Sequence, residues 1–181
     1  MMFRNLFLLL VGEPAAPVVH ADELSSTAIV PVTSVDEAVA AVGSAGELDL
    51  IELYGGMGVD AAAAVVAAAP GVPVGFAGAV EPSAAVGVLF EDPAPRTWRF
   101  GGSTVATVPS ADEAPAAAVK LVAEGVERIE LCGGMGPVPG AAVRAVVDVP
   151  VTTVLFGFES LPSAAAYRAR FEAALGEREP F

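Results

Sequence analysis

Apolar runs of strand length recur along the chain, each followed by polar punctuation and then by an Ala- and Val-rich stretch. Leu6–Val11 and Val86–Phe90 are mainly apolar, and Thr27–Val32 and Thr104–Val108 are rich in β-branched residues, the pattern of buried strands. Ser34-x-x-Glu37 and Ser110-x-x-Glu113 then have the spacing of a capping box, whose side chains satisfy free amides at a helix start. Each leads through a helical stretch into "LDLIEL" or "VERIEL", a glycine turn, a second Ala/Val-rich helix and a closing strand (72–77; 149–156). The pattern predicts β-β-α-β-α-β written twice, with about eight strands and four principal helices. Strands alternating with helices imply mostly parallel sheets flanked by helices, an α/β fold that is layered rather than barrel-like.

The two passages are copies of one another. "IELYGGMG" at 51–58 returns as "IELCGGMG" at 129–136, changing only Tyr54 to Cys132. "TSVDEAVAAV" at 33–42 matches "PSADEAPAAA" at 109–118, and Glu13-Pro14 aligns with Asp92-Pro93. A unit of this length holds several elements, so the expected organisation is two pseudo-symmetric repeats, 1–82 and 83–181, forming one compact pseudo-dimeric body.

Composition narrows the classes. Of 181 residues 54% are hydrophobic and 17% charged, which describes a chain able to bury a core. A net charge of −13 disfavours phosphate backbones and anionic lipid, so neither nucleic acid nor membrane is an expected partner. One cysteine excludes an internal disulfide and one histidine excludes a histidine-rich metal site; no spacing announces a metal or a cofactor. The N-terminal run has features of an export signal, but it aligns with an internal strand of the second copy. The uncharged stretch 61–80 is interrupted by Pro70, Gly71 and Pro73, and its counterpart carries Arg144 and Asp148. The expectation is a cytoplasmic protein, monomeric or homodimeric, that meets a small-molecule ligand.

The candidate chemistry gathers at the octapeptides. A strand entering a glycine turn and then a helix places free amides and a helix N-terminus beyond the strand ends, where parallel α/β folds collect ligands. Candidate ligand-binding residues are therefore Tyr54, Gly55, Gly56, Met57 and Gly58, with Cys132, Gly133, Gly134, Met135 and Gly136 in the second copy. The run from Gly56 to Ala61 fits a dinucleotide pattern, which Pro139 breaks in the other copy. Glu52 and Glu130 stand between Ile and Leu in apolar strands, where a carboxylate must pair, be hydrogen-bonded or hold a raised pKa. They are candidate acid–base groups; the structural alternative is that each accepts amides from its own glycine turn. His20, six residues after Pro14, is the third candidate catalytic group, and Arg99 aligns with it in the second copy, beside Arg96 and Trp98. A histidine exchanges protons near neutrality, and arginines suit a carboxylate or phosphate. The alternative for His20 is a solvated loop residue.

"GVERIELCGGMG", preceded by "ADEA" and followed by an Ala/Val helix and "VPV", resembles bacterial proteins grouped as domain of unknown function 6506. Their usual run is Ile-Glu-Leu-Cys-Gly-Gly-Phe-Gly, often with a histidine after an acidic-Pro loop. Ile129–Gly136 matches well and Ile51–Gly58 reasonably. The chain departs by holding two copies, by Tyr54, by Met57 and Met135, and by Arg99 where the histidine falls. The resemblance implies that single-copy relatives pair as dimers, and it implies no activity. Without a cofactor signature, the expected function is a cofactor-independent enzyme of isomerase, lyase or cyclase type acting on a small anionic or carbonyl compound. A non-catalytic ligand-binding protein with a pocket between the repeats is the alternative. A scaffold, or an enzyme taking a nucleotide or phosphorylated substrate at Gly55–Gly58, stands behind these.

Overall fold

The computed structural model describes residues 2–78 and 85–176. The expected repeat boundary at 82/83 lies outside the described residues. The first half runs β1 (Phe3–Leu10), β2 (Val18–Ala21), β3 (Ser25–Val32), α1 (Val35–Ser44), β4 (Leu50–Tyr54), α2 (Val59–Ala68) and β5 (Val74–Phe76). The second runs β6 (Val86–Glu91), β7 (Thr97–Phe100), β8 (Ser103–Val108), α3 (Ala114–Ala123), β9 (Arg128–Leu131), α4 (Pro137–Arg144) and β10 (Val151–Thr153). A short strand β11 (Leu155–Phe156) and a helix α5 (Leu161–Gly176) follow.

Each half builds one sheet of the same order, β2-β3-β1-β4-β5 and β7-β8-β6-β9-β10. Pairing is parallel throughout except at the edges, where β2 and β7 run antiparallel to β3 and β8. β11 leaves the second half and pairs antiparallel with β5, so the last strand among the described residues forms an edge of the first sheet. The α/β class and its mostly parallel sheets match the apolar pattern. The strand count does not: the passages read as Pro-rich loops contain the edge strands β2 and β7, and the closing strand expected over 149–156 is divided into β10 and β11, which join different sheets.

Period-two alternation divides the sheet faces. Leu6 and Leu8 of β1, with Ile51 and Leu53 of β4, pack on α1 and α2 through Val42, Ala61 and Val65. Phe7, Leu9 and Tyr54 point the other way and join Val88, Phe90 and Val105 of the second sheet in a single core that extends to Ala118, Leu121 and Val143 of α3 and α4. The order of layers is thus helices, sheet, sheet, helices, with the two sheets face to face. α5 covers the near end of β1, where Phe3 meets Tyr167 and Phe171 edge-on at 5.2 and 5.3 Å.

The capping signals diverge in detail. Ser34 Oγ accepts the Glu37 amide at 3.2 Å, while the Glu37 carboxylate reaches back to the amide and hydroxyl of Thr33. Ser110 caps no amide; the chain there makes one 3₁₀ turn, and α3 begins at Ala114 with Pro115 in its first turn.

Candidate functional site

The two glutamates leave the central strands on the faces that meet, and each reaches the other half's turn. Glu130 accepts the Gly55 amide at 2.7 Å, and Glu52 accepts the Gly133 amide at 3.1 Å. The structural alternative, in which each carboxylate serves its own turn, thus takes a crossed form: each serves the turn of the other half. Gly55 can turn here because its φ is +82°, and an added Cβ would strike the Leu10 backbone. Gly133 is required for a different reason: a Cβ there would stand 2.9 Å from Glu52 Oε1 and 2.7 Å from the Phe156 ring. The amides of Gly55 and Gly133, expected to face a ligand, are held by protein carboxylates. Met57 and Met135 are buried core side chains, while Gly58 and Gly136 cap α2 and α4.

Around this crossed pair the halves differ. Tyr54 donates its hydroxyl to Glu52, and burial holds the Glu52 carboxyl up at about 7 against the Tyr54 and Gly133 hydrogen bonds. Burial first, and then the Glu52 charge, raise the Tyr54 hydroxyl well above its ordinary range. Glu130 instead pairs with Arg128 at 2.8 Å, both side chains being essentially inaccessible. Burial raises the Glu130 carboxyl, while the Arg128 guanidinium and the Gly55 and Gly56 amides pull it back. Arg128 occupies the position that Leu50 holds in the first half, two residues before each glutamate. Cys132, in the place of Tyr54, is buried and its thiol is pushed up to about 12 by burial, then by the Glu52 charge. That excludes a ready thiolate.

His20 is not a loop residue. It lies on β2, 3% exposed, with Nε2 2.7 Å from Asp92 Oδ2 across the boundary between halves. The Ala94 amide donates to Asp92 Oδ1 at 2.8 Å and so orients the carboxylate. Phe90 and Trp98 flank the imidazole, and its Nδ1 is buried with no hydrogen-bond partner among the described residues. His20 does not join the glutamate pair. β2 is three strand positions from β4, about 14 Å at ordinary spacing, and Phe7 stands between them with Tyr54 on one side and Phe90 on the other.

Strand register also corrects the alignment of the halves. Phe7 pairs with Glu52 and Val88 with Glu130, so Phe7 and Val88 are equivalent. Their partners on the other side are Ile29 and Val105, which in turn pair with Val18 and Trp98. Two residues further along, His20 corresponds to Phe100, not to Arg99. In the same frame Asp92 corresponds to Val11, not to Glu13: the Val11 amide bonds Val32, and the Asp92 amide bonds Val108. A one-residue slip reverses the face of every side chain, which is why Arg99 is exposed and Phe100 buried.

Arg99 reaches Glu124 at 2.8 Å on the outer side of the second sheet. With Arg96 and Lys120 it lines a groove of about 650 Å³ between β7, β8 and α3, whose walls also carry Glu113, Glu124, Ala106 and Leu121. The two arginines therefore stay together but lie on the face away from the glutamates. Asp92 and Arg128 are the charged residues whose part in the interface the repeat did not announce. Among the described residues no three His, Cys, Asp or Glu side chains converge to hold a metal ion. No helix among them is long and apolar enough to cross a membrane.

Residues 101–169 match DUF6506, a family of unknown function. The matched segment holds Glu130, Cys132 and Gly133, whereas His20, Asp92 and Glu52 lie before it. No curated protein matches the chain. The match carries no activity with it.

Proposed function

We propose that the protein is a cofactor-independent acid–base enzyme acting on a small organic molecule, with His20 Nδ1 as the proton-transferring atom. One observation carries this reading: a buried imidazole bound to Asp92 through Nε2 whose other ring nitrogen has no partner among the described residues. A neutral imidazole has one N–H and one lone pair, so a carboxylate accepting at Nε2 leaves the lone pair on Nδ1. A buried polar atom without a partner costs about 1–3 kcal/mol. The equivalent residue in the other half is Phe100, so the fold itself does not require that cost. Asp92 orients the ring and stabilises the imidazolium formed when Nδ1 takes a proton, as a carboxylate does in an acid–base dyad. Phe90 and Trp98 pack beside the imidazole, apolar neighbours that suit a small carbonyl compound, and the chemistry of this class is isomerisation, elimination or cyclisation through proton transfer. Glu52 and Glu130 become the lock between the halves in this reading rather than its proton carriers.

The groove beside Arg96, Arg99 and Lys120 favours one other reading, a binding protein for a small anion with an apolar body. The two readings separate in deuterated water. A panel of small carbonyl and carboxylate compounds is incubated with the wild-type protein and with His20→Gln, and loss of C–H signal is followed by NMR. Catalysed exchange that falls at least about a hundredfold in a folded His20→Gln supports the dyad. Exchange that survives the substitution overturns it, and thermal stabilisation by a compound that never exchanges favours the groove.

A further inference from the structure

The strand register allows the dyad to be compared with the same place in the other half. His20, Asp92, Phe90 and Trp98 correspond to Phe100, Val11, Leu9 and Val18. Exposure agrees position by position: 3% for both His20 and Phe100, 6% and 9% for Asp92 and Val11, 6% and 1% for Phe90 and Leu9. Trp98 and Val18 are both half-buried. The environments match while the chemistry does not. One place holds a hydrogen-bonded His–Asp pair between aromatic rings; the other holds only hydrocarbon, and all four of its residues belong to or pack against the common core.

We infer that Val11 and Phe100 mark a second, plugged copy of the dyad site, so that each chain carries one proton-transfer centre assembled from both halves. The inference deepens the reading of His20–Asp92 as the reactive pair and rests on it for the word "reactive"; the equivalence of the two places rests on register and burial alone. Packing does not demand the dyad, because Phe and Val fill the same environment without a buried carboxylate or an unpartnered ring nitrogen. Replacing a buried charged pair by well-packed hydrocarbon is commonly neutral or stabilising. A dyad held only for stability would have no reason to appear at one of two equivalent places. The centre is also composite: His20 comes from one half and Asp92 from the other, so the asymmetry gives one site per chain where an exact twofold would give two.

Reciprocal transplantation tests this. His20→Phe with Asp92→Val copies the plug into the dyad site; it should fold and melt within about 3 °C of wild type or above it. Val11→Asp with Phe100→His copies the dyad into the plug. Because the natural chain has one histidine, ring ¹⁵N–¹H correlation spectra of this variant should show a second imidazole in the same Nε2–H tautomer with a hydrogen-bonded proton. A first variant that melts far below wild type makes the dyad structural and overturns the inference. So does a folded second variant whose new ring shows the tautomer mixture of a solvated histidine. If the second variant does not fold, the first decides. Should both succeed while hydrogen exchange is untouched by His20→Phe with Asp92→Val, the equivalence stands and the acid–base assignment fails.

Discussion

The crossed glutamates look alike in sequence and should respond oppositely to the same substitution. Glu130→Gln removes the carboxylate paired with Arg128 at 2.8 Å, where both side chains are at most 2% exposed. Taking one partner from a buried ion pair costs about 3–5 kcal/mol. At about 2–4 °C per kcal/mol for a chain of this size, the melting temperature should fall by about 6–20 °C. Glu52→Gln removes no charge from a cation. Its carboxyl is held at about 7 by burial, against an ordinary 4.5. Between those values the folded chain keeps a proton that the unfolded chain has released, so stability is full below pH 4.5 and declines as pH rises through 7. The difference of about 2.5 units corresponds to about 3 kcal/mol. Gln resembles the protonated form at every pH. Glu52→Gln should therefore lie within about 1 kcal/mol of wild type at pH 5, and equal or exceed it at pH 8 by up to about 3 kcal/mol. Urea titrations of both variants at pH 5 and pH 8 provide the measurement. Equal losses at pH 8, or a harmless Glu130→Gln, would refute the account. Adding Arg128→Leu, the residue found at the equivalent Leu50, should restore most of what Glu130→Gln loses.

The turns and the thiol give two further tests. Gly133→Ala places a methyl group against Phe156 and the Glu52 carboxylate and should cost about 1–3 kcal/mol, whereas Gly134→Ala meets only Cys132 Sγ at 3.7 Å and should be nearly silent; chemical denaturation of the two separates them, and equal effects would contradict the crossed contact. Cys132, with its thiol pushed up to about 12, should react with iodoacetamide at pH 8 about a thousandfold more slowly than an unhindered thiol and at the ordinary rate once the chain is unfolded; rapid labelling of the folded protein would show the thiol is neither buried nor raised.

What could be read in advance was whatever is local in sequence. The parallel strands announce themselves because their buried faces are nearly all apolar, and α1 because Ser34 and Glu37 bond within four residues. The edge strands were hidden because each has only four residues, stands among prolines and faces solvent on one side. Missing β2 and β7 had a consequence for the site. Counting from Pro14 and Pro93 set His20 opposite Arg99, one position away from its true counterpart, and one position on a strand exchanges inside for outside. The partners of Glu52 and Glu130 were invisible for another reason: each lies about eighty residues away in the opposite half. Arg128 was the signal that could have been used. It precedes Glu130 by two residues, which on a strand means the same face, and the first copy has Leu50 there.

The repetition of Ile-Glu-Leu-x-Gly-Gly-Met-Gly now has a physical cause. In an interface with twofold character, residue i of one side meets residue j of the other and j meets i in return. Glu52 on Gly133 and Glu130 on Gly55 are that pair of contacts, made within a single chain. The side chain after each isoleucine thus supplies an acceptor for an amide of the other half, and the first glycine of each turn is needed because a Cβ would strike the Leu10 backbone at Gly55 and the Phe156 ring at Gly133. Where the contact does not bind both copies to one residue type, they diverge: Leu50 against Arg128, Tyr54 against Cys132, Val11 against Asp92, Phe100 against His20. The shared letters hold the halves together, and the unlike letters put Tyr54 beside one glutamate and Arg128 beside the other, and leave His20 Nδ1 without a hydrogen-bond partner among the described residues.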